Sequence, residues 1–192
     1  MQNITIEIIH NRDIEPCREL CNELMAFQQS KATFYPENFS SMNFETRMKK
    51  SYENAFDSQV IIAKDRGIPI GYVFSTIDDI KIEDRNTIPG WAPLSENSIG
   101  FYPGWVELPQ KIGCVNNLYL REQYRHLKLG AKLFDMSMEW LENATDVDLI
   151  FVYISNGNDA ALNFYLKHGF TFSHDVFGGF IKAAYKYNRN IR

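Results

Sequence analysis

No apolar stretch in this chain approaches the length of about 20 residues that a membrane-spanning helix needs, so a transmembrane protein is not expected. The first ten residues, MQNITIEIIH, lack a basic start and a small-residue cleavage site, and no signal peptide is visible in them. Cysteine is scarce. Cys17, Cys21 and Cys114 are an odd set of three in 192 residues, which suits reduced thiols in a cytoplasm better than a disulfide framework. Charge of either sign is in small excess at most, with 20 Lys and Arg against 24 Asp and Glu. A net charge of -4 argues against nucleic acid as the main partner and leans toward a neutral or cationic small substrate. Repeats, low-complexity tracts and a break that would divide residues 1–192 into two domains are all missing. What is present is 45% hydrophobic residues, enough to bury a sizeable core.

The local patterns give an order of elements. ITIEII reads as a strand, and Asp13 can cap the helix that follows, with Pro16 tolerated in its first turn. On that helix, which runs to about Gln28, Cys17 and Cys21 join Leu20, Leu24 and Phe27 in one apolar stripe. Packing is therefore favoured over a metal site, since no second Cys or His pair completes one. A more polar helix is expected near NFETRMKKSYENAF, then a hairpin in which QVIIAKD and IGYVFSTI flank RGIP. Residues 79 to 110 are irregular but aromatic, a combination that points to a functional connection. GCVNNLYL reads as a strand, and LGAKLFDMSMEWL as a helix with Leu129, Leu133, Met136 and Trp140 on its apolar stripe. VDLIFVYI has the composition of a central strand. NDAALNFYLKHGF is a helix with Asn158 as cap and Gly169 past its end, and two strands around Gly178-Gly179 close the chain. Strands and helices in this order imply a mixed α/β sheet.

Two segments carry chemistry. Leu118-Tyr119-Leu120 leads into Arg125-His126-Leu127-Lys128-Leu129-Gly130-Ala131 at a helix start, and Asn158, Ala161, Tyr165, Gly169 and Phe170 follow downstream at fixed spacing. Together they resemble the GNAT-family N-acetyltransferases over residues 111 to 180. That family's signatures are an L-x-V strand followed by Q/R-x-x-G-x-G/A, then N-x-x-A-x-x-x-Y-x-x-x-G-F. The second is met in full, whereas the first has Lys128 in place of one glycine.

The resemblance implies a single domain over residues 1–192. Its mixed, mostly antiparallel sheet would have six to seven strands flanked by about four helices, with a cofactor cleft between two splayed parallel strands. Acetyl-CoA would be the acyl donor, with no metal. A helix start offers free N–H groups and a positive dipole end to a pyrophosphate. The amides of His126, Leu127, Lys128, Leu129, Gly130 and Ala131 would form that cradle, supported by Arg125. Lys128 could replace close amide contact with charge, in a basic cluster with Arg121, Arg125 and Lys132. The backbone of Leu118 and Leu120 would pair with the pantetheine amides, and Tyr165 would give a proton to the departing thiolate. Asn158 serves equally as helix cap or cofactor contact.

The base is less defined. The strand before the loop holds no carboxylate; Glu107, a water relay through Asn116 or Asn117, and no dedicated base are three readings. His126 and His168 sit where loop and cap roles suffice. For the acceptor side, Phe34, Tyr35, Trp91, Phe101, Tyr102 and Trp105 would form an aromatic wall, pack the long loop, or make a homodimer contact. Tyr35 and Trp105 are the substrate-facing candidates. The expected activity is acetyl transfer to a primary amine of a small molecule or peptide by direct attack, and the rival is a non-catalytic acyl-CoA-binding module. No nucleic-acid or membrane partner is expected.

Overall fold

The computed structural model describes residues 3–10, 12–93 and 98–188. Seven strands form one sheet: β1 (Ile4–Ile8), β2 (Asp57–Asp65), β3 (Ile68–Ile80), β4 (Gln110–Leu120), β5 (Val147–Ser155), β6 (Thr171–Val176) and β7 (Ile181–Tyr187). Their order is β1-β2-β3-β4-β5-β7-β6. All pairs are antiparallel except β4 with β5. The α-helices among the described residues are α1 (Arg18–Lys31), α2 (Lys50–Asn54), α3 (Leu129–Glu142) and α4 (Asp159–Lys167). None of them is long and apolar enough to cross a membrane. The parallel pair arises because β4 and β5 are joined by a crossover through α3, whereas β2 and β3 are joined by a two-residue turn. That turn is Arg66-Gly67, both at positive φ (50° and 81°), the backbone form that matches strand twist in tight hairpins.

Two cores lie on opposite faces of the sheet. One gathers α1, the residues before α2 and the 81–109 connection over Tyr72, Phe74, Ile112 and Phe151. The other packs α3 and α4 on Val73, Val115, Ile150 and Val152. Strand alternation divides successive residues of β3, β4 and β5 between them. Cys17 and Cys21 are fully buried in the first core, as their stripe implied. Asp13 Oδ1 accepts the Glu15 N–H at 3.1 Å, capping a short 3-10 turn (Glu15–Cys17), and α1 proper begins one residue later and extends to Lys31.

The expected stripe of α3 needs correction. The buried side chains are Leu129, Leu133, Phe134, Ser137, Met138 and Leu141, whereas Met136 and Trp140 sit half-buried at the margin. The sheet accepts a face centred one residue further round. Ser137 fits there because its hydroxyl pairs with that of Ser75, 2.5 Å away in β3.

The connection from 81 to 109 is held by side chains. Arg85 donates to the carbonyls of Pro103 and, at 2.6 Å, of Val106. Trp91 meets Phe177 and Phe180 at centroid distances of 6.0 and 6.1 Å, and Phe101 meets Tyr153 at 4.9 Å. These aromatics pack the connection onto β5 and the β6–β7 turn.

Candidate active site

β4 and β5 share a ladder from Lys111–Val147 to Val115–Val152 and no further. Both strands continue, to Leu120 and Ser155, so they part like a fork. The Arg121 N–H donates to the Ile70 carbonyl at 2.9 Å, which fixes the backbone alternation of this end of β4. Tyr119 therefore faces β3, and Leu118 and Leu120 turn their backbone groups toward the gap. One of these is already used: the Leu120 carbonyl accepts from Arg125 Nε at 3.1 Å.

The fork opens at a bulge. Phe74 stands opposite Asn117 and Ser75 opposite Val115, leaving Asn116 as the extra residue of β4. Asn116 Nδ2 donates to Thr76 Oγ1 at 2.7 Å, and that hydroxyl donates to Asp78 Oδ2 at 2.7 Å. The polarity follows from the donor count: an ionised carboxylate only accepts, so the single Thr76 proton goes to Asp78 and Asn116 must present its NH2 group. The Asn116 carbonyl oxygen then points away from Thr76. Burial raises the Asp78 pKa, opposed by the Thr76 hydrogen bond. Asn117, 8% exposed, forms no side-chain hydrogen bond with any described residue.

Beyond β4, a 3-10 turn (Glu122–Leu127) leads to Lys128 at φ 58°, ψ 13°, in the left-handed region, and α3 starts immediately after. No side chain caps α3. The first N–H groups of the helix therefore have no partner of their own. A Cβ placed on Gly130 would meet nothing within 4 Å, so there is room for an anion. Lys128 and His126 are exposed. Arg121 has another role: it pairs with Glu23 at 2.7 Å and Glu19 at 3.0 Å, tying β4 to α1. The basic cluster at the loop is thus smaller than its sequence.

Tyr165 on α4 is 8% exposed, its ring 5.8 Å from Phe134, 5.4 Å from Phe164 and 5.8 Å from Phe170. Its hydroxyl bonds to no described residue, and burial raises its pKa. Asn158 Oδ1 accepts the Ala161 N–H at 3.3 Å, a helix cap. His168 Nδ1 lies 2.8 Å from the Phe164 carbonyl, the cap role foreseen for it.

Glu107 is not brought to this fork. It is exposed, three residues before β4 begins, and the gap opens only at the far end of that strand. At a rise of about 3.3 Å per residue the separation is on the order of 20 Å or more. Tyr35 and Trp105 are not brought together either. Trp105 lies against Tyr185 (4.7 Å) and Phe151 (6.2 Å), while Tyr35 is 45% exposed without a ring contact. The loop that carries Tyr35 does approach the fork, because Asn156 just past β5 accepts the N–H groups of Thr33 (2.6 Å) and Phe34 (2.9 Å). Sequence reasoning passed over Thr76 and Asp78. Their signal was a polar pair two apart inside an apolar strand, which alternation places on one face.

This geometry has close parallels. A family model described as the acetyltransferase (GNAT) family matches residues 24–170. An N-alpha-acetyltransferase of Sulfurisphaera tokodaii is 26% identical over 137 residues, a stretch that spans 70% of this chain and 66% of that protein. The PaiA N-acetyltransferase of Thermoplasma acidophilum, solved with coenzyme A, has TM-score 0.58 and 18% identity over 96% of this chain and 99% of its own. NAA60 of Arabidopsis thaliana, solved with a bisubstrate analogue, has TM-score 0.56 and 15% identity over 96% and 98%. The two structures share the fold, and the family match spans most of the chain, fork and loop included. This chain belongs to the acetyltransferase (GNAT) family.

Proposed function

We propose that the protein transfers an acetyl group from acetyl-CoA to a primary amine by direct attack. The observation that carries this reading is the fork: two parallel strands part beside an uncapped helix start, leaving β4 backbone groups unpaired between them. Leu118 and the Leu120 N–H would hold the pantetheine arm as a neighbouring strand would, and the amides of residues 126–131 would hold the pyrophosphate. Acetyl-CoA supplies the activated acyl group. In the transfer an N–C bond forms, the C–S bond breaks, the amine loses a proton and the thiolate gains one.

The chain's own residues supply one proton and orient the amine that loses the other. Tyr165 is protonated at neutral pH, as a phenol with its ordinary value near 10 would be, and burial raises its pKa further, so it is available as donor. On β4, Asn116 offers its carbonyl oxygen to orient an amine N–H, held in that orientation by Thr76 and Asp78, and the proton that the amine loses passes to water. The water relay considered from sequence through Asn116 or Asn117 would then have a carboxylate behind it, Asp78 of β3. Two proteins of the same fold, solved with coenzyme A and with a bisubstrate analogue, support the choice of donor. Release of free thiol from acetyl-CoA across an amine panel, with the acetylated product identified by mass, tests the reading. Coenzyme A binding with no turnover on any amine would instead favour a non-catalytic module.

Asp78→Asn keeps the shape of the relay and removes its charge. Transfer is expected to slow by about 10- to 100-fold, while thermal stability at pH 7 rises or holds. The sign follows from the raised pKa: a carboxylate that is harder to ionise when folded opposes folding at pH above that pKa, and the penalty fades as pH falls through it. The variant's stability advantage should therefore vanish toward about pH 4. A variant with full activity would remove Asp78 from the reaction.

Lys128→Gly separates two effects at the phosphate turn. Glycine suits the left-handed backbone, so stability should rise by about 1 kcal/mol. Coenzyme A affinity should fall several-fold at low salt if the Lys128 ammonium contacts phosphate. Equal or tighter binding in calorimetry at low salt would rule out that contact.

A further inference from the structure

Arg47 lies in a π turn (Phe44–Lys49) that leads into α2, a backbone form frequent at functional sites. Its guanidinium stands 4.8 Å above the Trp91 ring. The other arginines of this region are paired: Arg18 with Glu15 and Glu45, and Arg121 with Glu23 and Glu19. The side chain of Arg47 makes no hydrogen bond or ion pair with any described residue. Glu45, two positions away, is turned to Arg18 and Lys49. Burial depresses the Arg47 pKa, and no carboxylate among the described residues offsets it. Arg47 is half-buried, and a half-buried cation with no counter-ion among the described residues gains most where something else supplies the anion.

Its position says what the anion belongs to. Trp91, which holds Arg47, lies 6.1 Å from Phe180, and the Phe180 carbonyl accepts from Asn156 just past β5, where the strands part. Cys114 is in the last paired stretch of β4 before the fork, opposite Thr76. Asp78 accepts from that Thr76 hydroxyl. The first-core face of β4 at the fork is therefore flanked by one cation and one anion that do not neutralise each other. Next along β4 come Asn116, whose carbonyl oxygen is free, and the unpartnered, buried Asn117.

We propose that Arg47 is a carboxylate subsite, so that the acceptor is an amine bearing a carboxylate close by, as an α-amino acid or a peptide with an acidic first residue does. The proposal rests on the transferase reading and narrows its acceptor class. The guanidinium lies 4.8 Å from the Trp91 ring centroid, and an arginine packed on an aromatic ring can still bind a carboxylate bidentately through its edge. The amine end of the same molecule then lies toward Asn116 and Asp78. The net charge of -4, taken alone, leaned toward a neutral or cationic acceptor; a local subsite overrides a weak global field.

The test compares matched acceptors: a free amino acid with its α-amide, and a short peptide amide beginning with Glu with one beginning with Gln. Each is assayed with the wild type, Arg47→Lys and Arg47→Met. The ratio of kcat/KM for acid over amide should fall by about 10-fold or more from wild type to Arg47→Met, with Arg47→Lys between them. Comparing ratios across variants cancels the different basicities of the amines. Discrimination in the first pair marks the free amino acid, and in the second the peptide. Arg47→Met keeps an unbranched apolar chain against Trp91 and should melt at the same temperature or higher, whereas a purely structural arginine would lose stability. A ratio that Arg47→Met leaves unchanged in both pairs overturns the proposal. If no amine is turned over, the transferase reading fails by itself, and calorimetry of the same pairs against the coenzyme A complex decides the subsite. Acid-selective binding lost in Arg47→Met upholds it, and equal or absent binding of acid and amide refutes it.

Discussion

Gly157→Ala should lower the melting temperature by about 10 °C, the largest stability effect expected from a single methyl group in this protein. Gly157 has φ +76°, and an ideal Cβ there would lie 1.9 Å from the Lys31 carbonyl oxygen and 2.8 Å from its carbon. Both obstacles are backbone at the end of α1, so no rotamer change removes the clash. The left-handed conformation adds its own penalty of about 1 kcal/mol or more. The neighbour Asn156 explains why the chains come so close. Its buried amide accepts from Thr33 and Phe34 and donates to the carbonyls of Phe34 (3.1 Å) and Phe180 (2.9 Å). One side chain thus ties the loop after α1, the end of β5 and the β6–β7 turn together. A total loss of about 3 kcal/mol or more follows from displacing that junction. Calorimetric melting reads it directly, and a shift under 2 °C would mean that the junction yields without strain. In variant protein that remains folded, KM for the amine should rise more than the Kd for coenzyme A. The junction positions the loop beside the fork and leaves the α3 start untouched.

Tyr165→Phe should reduce kcat by about 100-fold with little change in coenzyme A affinity or stability. The ring keeps its contacts with Phe134, Phe164 and Phe170, and the deleted hydroxyl bonds to no described residue. Stability therefore has little reason to change. The raised pKa also predicts the shape of the pH profile. The phenol remains protonated beyond its ordinary value near 10, so kcat should show no loss of an acid group up to that pH. Full activity in the variant would give the hydroxyl no role in proton transfer and leave Tyr165 as a core residue.

Much of this site was legible in the sequence because it is built from local signals. The Asn158 cap, the Gly169 stop at φ +85° and the Tyr165 spacing all lie within one helix and its ends. The apolar run of β5 announced a buried strand, and the two together fixed the register of the irregular loop before it. Even the missing glycine has a local reading. Lys128 occupies a left-handed position, where a glycine would be comfortable and a lysine is strained. The turn thus keeps its shape against its residue.

Other features depended on contacts that no window of sequence contains. Glu107 was the nearest carboxylate along the chain, but β4 carries it to the wrong end of the sheet. The carboxylate that does reach the fork comes from β3, through a hydrogen bond between residues 40 apart. It reaches there because one extra residue in β4 turns Asn116 toward Thr76. Arg121 and Arg125, alike in sequence, were separated by their partners: a pair of glutamates on α1 for one, the Leu120 carbonyl for the other.

The sequence by itself determined the main elements, their order, the family and the irregular turn before α3, since periodicity and capping act over a few residues. Only the tertiary structure decided which charges are neutralised and which stand free. Pairing depends on which strands and helices meet, and among the described residues it left Arg47 without a counter-ion, on the first-core side of the sheet with the Asp78–Thr76–Asn116 chain, near the point where β4 and β5 part.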